Sequence, residues 1–138
     1  MFSITIVIDD EWIAPVYDHV HHGRCLSLLE QSRTAFVAAV GFPNEQLLRE
    51  GKVIVVTRVD MAYKREVKRG EVQATCDRVE CEGRTIRIHQ RLVNSRGKTA
   101  IEGVVELMFM DIASRRGMDI PADFLAALLG AEGNSEVR

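Results

Sequence analysis

The sequence has no basic excess, no long apolar run and no metal-type cysteine spacing, and each absence closes off a class of function. The formal net charge is −2, whereas a dedicated nucleic-acid binder carries a clear surplus of Lys and Arg. No apolar stretch approaches the roughly 18 residues that a membrane-spanning helix requires. Met1 runs directly into Phe2-Ser3-Ile4-Thr5-Ile6-Val7-Ile8, without the basic n-region and small-residue cleavage site of a secretory signal. Cys25, Cys76 and Cys81 are odd in number and fit no zinc spacing, so they read as free thiols. Free thiols suit a reducing compartment, and the expected location is the cytoplasm. Internal repeats, low-complexity segments and linkers are also lacking.

What remains is an ordinary globular mixture, with 46% hydrophobic and 28% charged residues. One domain over residues 1–138 is expected, and a chain of this length buries roughly two-thirds of its unfolded surface without help from disulfides or metals. Residues 2–8 alternate as a strand. Residues 9–21, with Asp9, Asp10, Glu11, Pro15 and Asp18, read as a strand end and loop. From about His22 the apolar period changes to three and four: Leu26, Leu29, Phe36, Val37 and Val40, with Leu28 and Ala35 widening the stripe. The spacing predicts a largely buried helix that stops at Gly41-Phe42-Pro43.

A short helix is expected over Asn44 to Glu50, followed by four strands over 52–63, 71–81, 84–94 and 99–110. Glu82-Gly83 and Ser95-Arg96-Gly97-Lys98 supply the turns. Pro121 opens a second short helix to Leu129, and the polar tail from Ala131 is expected to fray. A strongly apolar helix followed by an antiparallel meander has one economical solution, in which the sheet curls around the helix. The fold class is therefore α+β. Apolar residues on the sheet's outer face and edges suggest self-association, as a homodimer or homotetramer.

This element order suggests a hotdog fold, an antiparallel sheet wrapped around a long central helix. The segment His19-Val20-His21-His22-Gly23-Arg24-Cys25-Leu26-Ser27-Leu28-Leu29-Glu30-Gln31-Ser32-Arg33 resembles that of 4-hydroxybenzoyl-CoA thioesterase-like proteins. In that family a loop reading Asp-x-x-Gly-His-Val-Asn-Asn or Asp-x-x-Gly-Val-Val-Tyr-His enters a helix reading Tyr-Leu-x-x-x-Glu-x-x-Arg. His22, Glu30 and Arg33 fall on that spacing, with Cys25 in place of the usual Tyr. Tyr63-Lys64-Arg65-Glu66-Val67-Lys68-Arg69-Gly70-Glu71 resembles the family's Tyr-x-x-Pro-x-x-x-Gly-Asp, with Glu66 in the Pro position, and Ile120-Pro121-Ala122-Asp123-Phe124 resembles its exit. The family usually places a catalytic Asp fifteen residues before the helix Glu. Pro15 stands there in this chain, and Asp18 is the nearest carboxylate.

The resemblance implies hydrolysis of an acyl-CoA, without a cofactor or metal. The amides of His22 and Gly23 would polarise the thioester carbonyl at the helix N-terminus. Asp18, or Glu30 across a dimer interface, would activate water, with His19 and His22 as bases or orienting groups. Tyr63, Lys64, Arg65 and Arg69, with Lys68 nearby, would meet the nucleotide phosphates of CoA; Arg115-Arg116 is a weaker candidate for the same role. Each assignment has a structural counterpart. Asp18 can cap the helix, Glu30 and Arg33 can form an ion pair, and the basic loop can be balanced by Glu66 and Glu71. The His19, His21 and His22 trio lacks an acidic or thiol partner at zinc spacing, His89 reads as a sheet residue, and Cys25 at a core-facing position is a poor nucleophile. The rival functions are a non-catalytic acyl-thioester-binding module and an acyl-carrier-protein thioesterase. A hotdog dehydratase, whose His-rich entry continues into Pro-Gly, fits less well.

Overall fold

The computed structural model describes residues 1–131 and the backbone of 135–137. Strand β1 (Phe2–Ile8) leads through a 3-10 turn (Asp10–Trp12) into a two-residue hairpin, β2 (Ile13–Ala14) and β3 (His19–Val20). Helices α1 (His22–Ala39) and α2 (Asn44–Arg49) follow. Then come β4 (Lys52–Tyr63), β5 (Gly70–Cys76), β6 (Arg78–Glu82), β7 (Thr85–Val93), β8 (Thr99–Asp111) and β9 (Arg116–Gly117). Helix α3 (Ala122–Gly130) and β10 (Ser135–Val137) close the chain. The frayed tail expected from Ala131 lies partly outside the described residues; Ser135–Val137 pair in parallel with β6.

The sheet curls around α1 as the hotdog arrangement requires. β1 pairs with β5, the β5/β6 stretch pairs with one edge of β7, β8 pairs with the other edge, and β4 pairs with β8; apart from β10, these pairings are antiparallel. Alternation along β7 decides which face is inner. Ile86, Ile88, Gln90 and Leu92 are buried, while Thr85, Arg87, His89, Arg91 and Val93 are partly exposed. Two core clusters result. One, under α3, gathers Phe36, Val37, Phe109, Phe124 and Leu128; the other, beneath the start of α1, gathers Cys25, Leu28, Leu29, Val67, Val72, Leu92 and Ile101. Only one face of α1 is buried in the isolated chain. Glu30, Gln31, Thr34, Ala38 and Ala39 remain exposed, so the helix is less enclosed than its apolar residues suggest. Among the described residues, no helix is long and apolar enough to cross a membrane.

The expected strand over 71–81 is broken at Asp77. Ala74 pairs with Leu92 and Arg78 with His89, so four residues forward on one strand meet three back on the other, a β-bulge. Asp77 is a poor strand former and faces outward, where Arg91 grips its carboxylate through Nε and Nη2 at 2.7 and 3.0 Å. On the inner face, Gln90 Nε2 donates to Thr75 O at 3.1 Å and to Leu29 O of α1 at 3.0 Å. Ser32 Oγ donates to Ala74 O at 3.0 Å, and Arg33 Nη1 to Gln90 Oε1 at 3.0 Å. Arg33 therefore bonds to the core amide rather than pairing with Glu30. Burial lowers the pKa of its guanidinium.

A second constraint joins β4 to β8. A Cβ on Gly103 would lie 1.9 Å from Asp60 O and 2.8 Å from Met61 Cα, so only glycine lets the strands approach here. Gly103→Ala is expected to destabilise the fold by roughly 1–3 kcal/mol or more through forced strand separation, read as a lower urea midpoint. Gln90→Leu strips the Leu29 and Thr75 carbonyls and the Arg33 guanidinium of a buried partner. A loss of about 2–3 kcal/mol is expected in the same titration.

Candidate functional site

A cleft of about 490 Å³ opens at the N-terminus of α1. Its polar wall is built by three chain features. The β2–β3 hairpin supplies Tyr17 and His19; the helix start supplies His21 and His22; the loop after β4 supplies Tyr63, Lys64, Arg65 and Glu66. The floor is apolar, formed by Val20, Cys25, Val67 and Ile101. Hydrogen bonds lock these pieces together. Val20 N donates to Val67 O at 2.9 Å, and Lys64 N and Arg65 N both donate to Ala100 O, at 2.8 and 3.0 Å. Tyr63 reaches back across the cleft, its hydroxyl donating to His22 O at 3.0 Å. Partial burial raises the pKa of that phenol, with Cys25 adding to the effect, which keeps it a donor.

The helix is capped by His21 and not by Asp18. His21 has extended backbone angles (φ −59°, ψ 141°), and its Nδ1 accepts from Gly23 N at 3.1 Å. Among the described residues the His22 amide has no hydrogen-bond partner. The helix therefore presents one free N–H and one that is held by an exposed imidazole. Gly23 has no side chain between this backbone and an incoming ligand. A Cβ there would meet only the His21 ring, at 3.4 Å.

The nominated carboxylates sit elsewhere. Asp18 ends the hairpin turn at φ 57°, a left-handed conformation that Asp tolerates. Its Oδ1 accepts from Arg69 Nη1 at 2.7 Å, while Arg69 Nε donates to Asp10 at 2.6 Å. The hydrogen bond and charge of Arg69 hold the Asp18 carboxyl below the usual range, with smaller contributions from Lys68 and His19. Asp18 and Arg69 are thus engaged with each other beside the cleft, and neither lines it. Glu30 borders a separate depression with Arg33, Thr34, Ile54 and Val56. On the rim, Lys64 pairs with Glu102, and Arg65 Nη1 donates to Thr99 O at 2.7 Å, leaving both cations at the mouth. Arg116 lies on β9, away from these residues.

Several lining residues were not nominated from the sequence, among them Tyr17, Glu66, Val67 and Ile101. Ile101 carried a signal, the inward period of β8. Val67 stood alone in a charged loop and carried none, and Glu66 registered as a departure from a motif and as a counter-charge to the basic loop. Among the described residues no three His, Cys, Asp or Glu side chains gather around a metal position. His89 is a sheet residue, with Nε2 2.5 Å from Glu80 Oε1 on the outer face.

Residues 8–128 match the family described as the thioesterase-like superfamily. No curated protein matches the sequence. Similar solved structures include a Staphylococcus aureus protein in complex with CoA, with a TM-score of 0.87 at 16% identity, covering 97% of this chain and 85% of that one. A putative oleoyl thioesterase from Lactobacillus plantarum aligns with a TM-score of 0.88 at 14% identity over 99% of this chain; the chain spans 52% of that protein's length. A 1,4-dihydroxy-2-naphthoyl-CoA thioesterase from Synechocystis gives a TM-score of 0.84 at 6% identity, covering 95% and 97%. At these identities the likeness establishes the hotdog fold.

Burial pushes the pKa of the Cys25 thiol up to about 11, which argues against a nucleophilic thiolate at the cleft floor. Iodoacetamide at pH 7.5 should alkylate the native protein at least about 100-fold more slowly than free cysteine, an expectation checked by mass spectrometry of the Cys25 peptide.

Proposed function

The chain belongs to the thioesterase-like superfamily, and we propose that it hydrolyses an acyl-CoA thioester to the free acid and CoA. The observation that carries this reading is the unpartnered amide of His22, a residue that starts an 18-residue helix and lines a cleft with an apolar floor and a cationic mouth. An acyl group suits Val20, Val67 and Ile101, while Lys64 and Arg65 suit the phosphates of the CoA half. The carbonyl oxygen would sit on the His22 N–H, and on Gly23 N–H once the substrate displaces the His21 ring. Those donors bind best when negative charge develops on the oxygen, so they accelerate the reaction rather than merely holding substrate. Tyr63 fixes the first helical turn through His22 O. His19 and His22 are the nominated bases that line the cleft.

The protein is further proposed to act in the cytoplasm, as its free thiols suggest, and as a homodimer. The outer edge of β4 is unpaired among the described residues, and Val56 and Val59 beside it are 46% and 41% exposed. Pairing of two copies there would cover the Glu30 depression, and a partner's carboxylate could then approach a cleft.

A specific observation favours a second reading, a non-catalytic thioester-binding protein. Pro15 occupies the usual Asp position, and Asp18 is committed to Arg69. Free-thiol release from acyl-CoAs and acyl-carrier-protein thioesters separates the two. Proline is tolerated at the first helical position, and extended His21 suits the residue before proline, so His22→Pro deletes the amide with little cost to the helix. Compared with His22→Ala, His22→Pro is expected to lower kcat by about 10²–10³-fold. Absence of turnover on every thioester, alongside measurable CoA binding, would favour the binding reading.

A further inference from the structure

On the reading that the cleft hydrolyses thioesters, the activation of water needs a base within the cleft, and neither Asp18 nor Glu30 lies there in one copy of the chain. His19 does, and its tautomer can be deduced. Its Nδ1 lies 3.0 Å from Val20 O, and a carbonyl only accepts, so Nδ1 carries the hydrogen. The lone pair of the neutral ring is therefore on Nε2. Facing it at 3.8 Å is Glu66 Oε1, also a cleft residue. That separation is too long for a direct hydrogen bond and leaves both groups within reach of one water. Val20 N bonds Val67 O at 2.9 Å, so the His19 strand and the Glu66 loop are fastened at the adjacent residues. Glu66 also meets Lys68 Nζ at 3.6 Å through its other oxygen, and Tyr17 stacks on the His19 ring at 5.5 Å between centroids.

We propose that His19 is the general base of this cleft and that Glu66 is its positioning residue, replacing the carboxylate absent at Pro15. In the first step Nε2 takes a proton from water as the water oxygen bonds to the thioester carbon. The carbonyl π pair moves onto oxygen, to which the His22 N–H donates a hydrogen bond. In the second step that pair returns, the carbon–sulfur bond breaks, and the sulfur leaves with the bonding pair and takes the proton from Nε2. Water and thioester become acid and thiol, with His19 restored. Glu66 orients the water and stabilises the transient imidazolium. At 56% exposure its ion pairs contribute little to folding, so its loss is read in turnover rather than in stability.

The test is a double-mutant cycle on thiol release, with His19→Gln, Glu66→Gln, the pair together and Glu66→Asp, each checked for a wild-type melting profile. His19→Gln is expected to lower kcat by about 10²–10⁴-fold. Glu66→Gln is expected to lower kcat about 10-fold at unchanged KM, with partial recovery in Glu66→Asp. Because Glu66 acts through His19, adding Glu66→Gln to His19→Gln should change nothing further. Independent, additive losses, or full turnover in either single variant, would overturn the dyad while leaving a thioesterase. A wild-type protein that turns over no thioester would overturn the hydrolytic reading and the dyad with it.

Discussion

The structure depends on how the β-bulge around Asp77 is accommodated. A bulge disturbs the regular ladder, and a disturbed ladder inside a core needs other partners. Gln90 and Ser32 supply them, from the inner face of β7 and the buried face of α1. The same Gln90 amide holds Leu29 O and receives Arg33. One buried side chain thus ties the middle of α1 to two strands, at a residue that is 1% exposed. In a closely packed interior such a contact sets the translation and rotation of the helix along the sheet, because apolar neighbours alone tolerate sliding. The position of the helix N-terminus, and with it the free His22 amide, follows from that seating.

Electrostatics then select which groups stay available at the cleft. Arg69 holds Asp10 and Asp18 together beside it, Lys64 meets Glu102, and Arg91 meets Asp77 on the outer face. What lines the cleft besides Lys64, Arg65 and Glu66 is imidazoles, two phenols, an amide and a thiol whose pKa burial pushes up to about 11. The apolar floor beneath such groups and the cations at the rim are the two features on which the proposed acyl-CoA reading rests.

Much of this was legible residue by residue. The period change at His22 and the stop at Gly41 placed α1 correctly, because a helix with an apolar stripe buries it wherever it docks. β4 was legible as a β-branched apolar run, β7 through alternation and β8 from the turn that precedes it, and Gly83 and Gly97 adopt positive φ at the predicted turns. The break at Asp77 was not, since Val72, Ala74, Cys76 and Cys81 read as one strand and the bulge shows only in pairing register. Of the nominated site residues, His19, His22, Tyr63, Lys64 and Arg65 line one cleft. Asp18, Arg69 and Glu30 fall outside it for reasons of side-chain partnership that no spacing encodes.

By itself the sequence determined the main helices and strands, their order and the hotdog wrapping, and it pointed to the helix start as the candidate site. These follow from local periodicity and from backbone amides that every helix N-terminus exposes. Only the tertiary structure decided that His21 caps the helix, that Arg69 takes Asp18, and that His19 faces Glu66 from 47 positions away in sequence. Those outcomes depend on how a hairpin, a helix and a loop meet in space, where a difference of a few ångströms chooses between an ion pair and a free base.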